Sequence, residues 1–97
     1  MRISEEVKES ILQVSKLVFG DDVSIYLFGS RIDDSKRGGD IDLYVKSEEL
    51  IANKFKKKID FLVELENRIG EQKVDLIINN DSNRLIEEIA LSEGIKL

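Results

Sequence analysis

Asp40 and Asp42 stand two residues apart in the run Gly39-Asp40-Ile41-Asp42-Leu43. On a β-strand that spacing sends both side chains to one face, with Cα atoms roughly 6.5 Å apart. Carboxylates that close repel, and burying them without a partner is costly. A cation between them removes both penalties. Hard oxygen ligands on a rigid strand suit Mg²⁺, which demands octahedral geometry and usually keeps waters and substrate phosphates among its ligands. A third acid, Asp75, interrupts the otherwise apolar run Val74-Asp75-Leu76-Ile77-Ile78, where aspartate is disfavoured. If its strand lies beside that of Asp40 and Asp42, the three acids share one sheet face. That is the donor set of a two-metal site, with ions roughly 3.5–4 Å apart. Taken singly, Asp-x-Asp is more often a solvated pair, and Asp75 is as easily an edge-strand acid. Their convergence is what would give them meaning.

Gly29-Ser30 follows directly on the hydrophobic run Val23 to Phe28. Glycine lets a backbone approach a ligand closely, and free amides after a strand can cradle phosphate. The Ser30 hydroxyl adds a donor, and Arg31, Lys36 and Arg37 add cations in the same loop. Nine residues separate Ser30 from Asp40, so the flanking strands can pair and set the loop beside the carboxylates. On its own, Gly-Ser is an ordinary turn.

Several chemistries are excluded. The chain has no cysteine and no histidine, which removes disulfides, thiolate catalysis, Ser-His triads and the usual zinc sites. An EF-hand reading of Asp40-x-Asp42 fails because Tyr44 and Val45 occupy positions that need a ligand and a glycine. No Walker A or Gly-x-Gly-x-x-Gly sequence occurs. Fifteen basic and 20 acidic side chains give a net charge of −5, a poor basis for non-specific nucleic-acid binding but a good one for concentrating divalent cations. The cluster Lys54, Lys56, Lys57, Lys58 could attract RNA or a phosphorylated partner, but reads more simply as a solvated helix face. The 97 residues, 41% of them hydrophobic, predict a single folded domain over 1–97. Neither a membrane span nor a signal peptide is visible, which points to a cytoplasmic protein.

These residues need elements to position them. Ser4 is the expected cap of a first helix with Val7, Ile11, Val14 and Val18 at helical spacing and Gly20 as its stop. Val23 to Phe28 reads as a strand. Asp40 to Val45 reads as a second, with Ile41, Leu43 and Val45 opposite Asp40, Asp42 and Tyr44. Ser47 is the expected cap of a long helix with Ile51, Phe55, Ile59, Leu62 and Ile69 near one stripe, ended by Gly70. Val74 to Ile78 forms a third strand. Asn80 or Asp81 caps a last helix bearing Leu85, Ile86, Ile89 and Ala90, and Ile95 to Leu97 adds a short edge strand. The order predicts an α/β sheet with its helices on one face. Tyr26, Phe28, Tyr44, Phe55 and Phe61 are expected in the core or at its rim. Of these, only Tyr44 shares the aspartate face, where it could touch a base.

Leu27-Phe28-Gly29-Ser30-Arg31, Gly39-Asp40-Ile41-Asp42-Leu43 and Val74-Asp75-Leu76 resemble the minimal nucleotidyltransferase (MNT) family of the DNA polymerase beta superfamily, over nearly the whole chain. The resemblance implies a small mixed sheet of the polymerase beta palm type, α+β in class. It implies an enzyme that uses two Mg²⁺ ions to move a nucleoside monophosphate, AMP from ATP in the first instance, to an acceptor. Attack would be in line at the α-phosphorus, with pyrophosphate leaving. It assigns Gly29, Ser30 and Arg31 to the nucleotide and Asp40, Asp42 and Asp75 to the metals and to catalysis. The loop before Asp40 is shorter than is usual there, and Ile32-Asp33-Asp34 replaces a stretch where glycine is common. Small MNT proteins pair with HEPN-domain ribonucleases as toxin–antitoxin couples, so the resemblance implies a HEPN toxin as acceptor and partner, in a hetero-oligomer or beside a homo-oligomer. The alternatives are a catalytically weak MNT fold that neutralises such a partner by contact, and a small-molecule nucleotidyltransferase.

Overall fold

A computed structural model describes residues 3–29, 40–78 and 84–97. Ser30, Arg31, Lys36 and Arg37, and the expected caps Asn80 and Asp81, lie outside the described residues.

Helix α1 (Glu5–Phe19) begins as its sequence demands. The Ser4 hydroxyl accepts the Val7 N–H at 3.1 Å, and Glu5 and Glu6 occupy the first turn, where the helix dipole favours negative charge. Strand β1 (Val23–Phe28) follows, then β2 (Ile41–Ser47), α2 (Lys54–Ile69), β3 (Val74–Ile78), α3 (Arg84–Glu93) and the short β4 (Ile95–Lys96). The four strands form one mixed sheet in the order β3-β2-β1-β4. β1 runs antiparallel to both β2 and β4, while β2 and β3 are parallel. A parallel pair needs a crossover, which α2 supplies.

Strand alternation decides where the core lies. The register sets Ile25 against Val45, Leu27 against Leu43, Leu43 against Leu76 and Val45 against Ile78. These residues and Ile41 are buried on one face, under Ile11 and Val14 of α1 and Phe61 and Leu65 of α2. The ring of Phe19 meets that of Phe61 at 5.8 Å. Arg68 donates to the Gln13 side chain at 2.8 Å and ties the two helices at the rim. Each such side chain contributes about 1.5–3 kcal/mol by leaving water. The odd-numbered residues of β2 thus carry the core, and its even-numbered residues face the other way.

Three local expectations change. Phe55 is 78% exposed and Ile59 46%, whereas Phe61 and Leu65 are fully buried. Phe55, Ile59 and Val63 recur every four residues and form a second apolar strip beside the one that meets the sheet. Helical periodicity cannot tell two adjacent strips apart. Ser47 does not cap α2. β2 extends two residues past the predicted Val45, so Ser47 ends the strand and its hydroxyl accepts the Glu49 N–H at 3.3 Å. The helix starts instead after Asn53, which takes a left-handed backbone at φ 57°. In α3, Ala90 is buried while Leu85 is 65% exposed. A Cβ on Gly94 would press on the carbonyl oxygens of Ala90 and Leu27, so the end of α3 sits close on β1 and leads into β4. No helix among the described residues is long and apolar enough to cross a membrane.

Phe61→Ala is expected to cost about 3–5 kcal/mol. Phe55→Ala, on the exposed strip, is expected to change stability by no more than about 0.5 kcal/mol. Urea unfolding of the two variants checks which strip is the core.

Candidate functional site

The parallel register brings the acids together. Asp42 lies directly opposite Asp75, and the Ile41 N–H donates to the Lys73 carbonyl at 3.0 Å, which locks the two strand entries side by side. Asp40 immediately precedes β2 and reaches the same face as Asp42. One carboxylate oxygen from each of Asp40, Asp42 and Asp75 falls within 4.8 Å of the other two. The structure therefore brings together the three acids expected from the sequence, from two strands far apart in the chain.

Gly29 joins them from β1. Phe28 pairs with Asp42, so the chain leaves the sheet at Gly29 beside that carboxylate. Gly29 has φ 76°, and a Cβ built there would overlap the Asp42 carboxylate oxygen. The backbone angle favours glycine, and a Cβ here would have to displace the Asp42 carboxylate. Ser30 and Arg31 continue from Gly29 outside the described residues. An open cleft of about 400 Å³ borders Asp42 and Asp75, with Phe28, Lys58, Leu62 and Ile77 among its other lining residues.

Among the described residues, negative charge outweighs positive charge at the site. Burial pushes the Asp42 carboxyl above its ordinary value, and the charges of Asp75 and then Asp40 push it further, while Lys73 acts in the opposite sense. Asp40 is half-buried and Asp75 exposed. All-oxygen donors, mutually within reach and electrostatically unfavourable when ionised together, fit a hard divalent cation.

Two residues near the site escaped the sequence reading. Lys73 places its ammonium 3.4 Å from an Asp40 oxygen. It stands two residues before Asp75, so strand alternation was the signal that could have found it. Lys58, read only as part of a solvated cluster, lines the cleft. Tyr44 is buried on the aspartate face, opposite the main core. It is 2% exposed and its ring lies 6.2 Å from that of Tyr26. Its hydroxyl is pushed up, chiefly by burial and then by Glu87 and Tyr26.

Gly29→Ala must move either the β1 exit or the Asp42 side chain. It is expected to abolish metal-dependent thermal stabilisation while leaving the far-ultraviolet circular dichroism of the fold in place. Asp42 ionises less readily folded than unfolded. In the metal-free protein its contribution is therefore most favourable below the unfolded value near 3.8 and is lost as pH rises through the higher folded value. At pH 7, Asp42→Asn should stabilise the metal-free protein by on the order of 0.5 kcal/mol, because it removes one of two like charges directly opposite across the strands. That gain should vanish in urea titrations repeated at acid pH.

Comparison with known proteins agrees with this geometry. The family described as polymerase beta, nucleotidyltransferase, matches residues 21–97. Two solved structures share the fold, and both are crystal structures of mutant forms of the toxin–antitoxin MntA-HpeT. One superposes with a TM-score of 0.70 at 20% identity, covering 93% of this chain and 69% of that one. The other gives a TM-score of 0.73 at 18% identity, covering 92% and 70%. No curated protein matches the chain significantly in sequence. The family match begins at the turn before β1 and takes in Gly29, Asp40, Asp42 and Asp75, and the chain accordingly belongs to the polymerase beta nucleotidyltransferase family.

Proposed function

We propose that the chain is a Mg²⁺-dependent nucleotidyltransferase that moves a nucleoside monophosphate, AMP from ATP, onto a hydroxyl of a protein partner, and that the partner is a HEPN-type toxin which this modification neutralises. The observation that carries the reading is the meeting of Asp40, Asp42 and Asp75 within 4.8 Å on the face opposite the core, beside a glycine where a Cβ would have to displace the Asp42 carboxylate.

Bound divalent ions would supply charge stabilisation at the phosphates. The rest of the work falls to the chain. Asp40, just before β2, and Asp42, within it, would hold the cations. Gly29, Ser30 and Arg31 grip the triphosphate at the end of β1, where a backbone without a Cβ can approach it. Asp75, the exposed member of the trio, faces the incoming acceptor and takes its hydroxyl proton. A bond forms between the acceptor oxygen and the α-phosphorus while the bond to the pyrophosphate oxygen breaks. Positioning and electrostatics supply most of the acceleration in such transfers, so the absence of histidine is no obstacle.

The protein acceptor is supported by the company the fold keeps. The two similar structures are of a toxin–antitoxin pair, and one carries aspartate-to-glutamate substitutions two residues apart, the spacing of Asp40 and Asp42. A second reading, neutralisation by contact alone, is favoured by the exposed apolar side chains Leu17, Phe55, Ile59 and Val63. Single exposed apolar residues are ordinary, but a strip of them suits a partner.

Incubation with ATP labelled on its α-phosphate, Mg²⁺ and the product of the neighbouring open reading frame separates the two. Transfer predicts label on that protein, reduced by at least about a hundredfold in Asp40→Ala and Asp42→Ala, the scale of losing a group that stabilises transition-state charge. Equal inhibition of the partner by wild type and both variants, with no label, would establish contact alone.

A further inference from the structure

We infer that Lys73 is a built-in competitor of the divalent cation: its ammonium occupies the counter-ion position at Asp40 when no metal is bound and is displaced when one seats. The inference rests on the acidic trio being a metal site and adds a residue that tunes it.

The placement of Lys73 is fixed by the backbone. β2 and β3 pair Ile41 with Val74, and the Ile41 N–H is bonded to the Lys73 carbonyl at 3.0 Å. Asp40 and Lys73 are the residues immediately before the first pair of that ladder. Two residues before Asp75, Lys73 leaves the strand towards the acids. Its Nζ lies 3.4 Å from Asp40 Oδ2, and its charge also bears on Asp42, the opposite way to Asp75 and Asp40. Among the described residues the three carboxylates pair with the single ammonium of Lys73, which leaves an excess of negative charge to attract a divalent ion.

Displacement is cheap by construction. The Lys73 side chain is 76% exposed and that of Asp40 33%. A lysine head on a four-carbon stem is strongly hydrated and flexible, so it can leave for water while the aspartate stays in place. An arginine fork would bind the carboxylate more rigidly. The ion pair thus relieves repulsion in the empty site without closing it.

Mn²⁺ titration of the full chain by calorimetry, in low salt and without nucleotide, tests this. Lys73→Met and Lys73→Gln should bind Mn²⁺ about two- to fivefold tighter than wild type, the range an exposed ion pair spans. Lys73→Arg should bind no tighter than wild type. Lys16→Met removes a positive charge in the last turn of α1, beside Asp21, and should leave the affinity unchanged. The gain in the Lys73 variants should shrink as salt screens the pair. Affinity unchanged or weakened in Lys73→Met and Lys73→Gln would overturn the inference, as would an equal gain in Lys16→Met. Uptake of Mn²⁺ by none of the proteins, wild type included, would instead sink the metal-site reading on which the inference rests.

Discussion

Carboxylates held within 4.8 Å of one another repel, and the sheet is what holds them there against that repulsion. Asp42 and Asp75 are directly opposite in a parallel ladder. Like charges in that relation destabilise a sheet, so the pairing must be enforced from elsewhere. The enforcement comes from the other face. Leu43 against Leu76 and Val45 against Ile78 are the same ladder seen from the core side. A slip of one residue would turn those side chains to solvent and bring the acids inward. The hydrophobic core therefore sets the register, and the register sets the site.

The order of elements follows from that constraint. A third acid parallel to the first two cannot come from a hairpin, because a parallel neighbour needs a crossover. α2 provides it, and its Phe61 and Leu65 help fill the face that fixes the ladder. β1 contributes differently. It runs antiparallel to β2 and ends where Phe28 meets Asp42, so Gly29 arrives beside the carboxylate at the point where the chain leaves the sheet. β4 pairs on the far side of β1, away from β3, and leaves the acidic strands at the opposite side of the sheet.

Much of this was legible in the sequence. The alternation of Ile41, Leu43 and Val45 with Asp40 and Asp42 located both core face and acidic face, because a strand has only two. Ser4 announced α1 by capping chemistry that the structure realises in its bond to Val7. The long helix was harder. Phe55-Ile59-Val63 and Phe61-Leu65-Ile69 are both four-residue rows, and only contact with the sheet distinguishes them. Ser47 misled because a hydroxyl after a strand can serve a turn as readily as a helix. Lys73 was overlooked because its meaning depends on its cross-strand neighbour, which depends on register, and register is a property of two strands rather than of either one. Gly29 was read for the closeness with which its backbone could approach a ligand. The structure adds a reason that no local pattern contains, the Asp42 oxygen that a Cβ would overlap.

The same logic explains why the site is unfavourable to the empty protein. Burial and two neighbouring acids all raise the cost of ionising Asp42, and Lys73 offsets part of it from an exposed position. A better-neutralised site, with a buried arginine in place of Lys73, would fold more comfortably and leave less for a cation to relieve. A less neutralised one would strain the ladder that positions Asp75. The arrangement observed lies between these limits. Repulsion among the three acids is what a divalent ion at the proposed site would relieve, and the core on the opposite face keeps the strands in register.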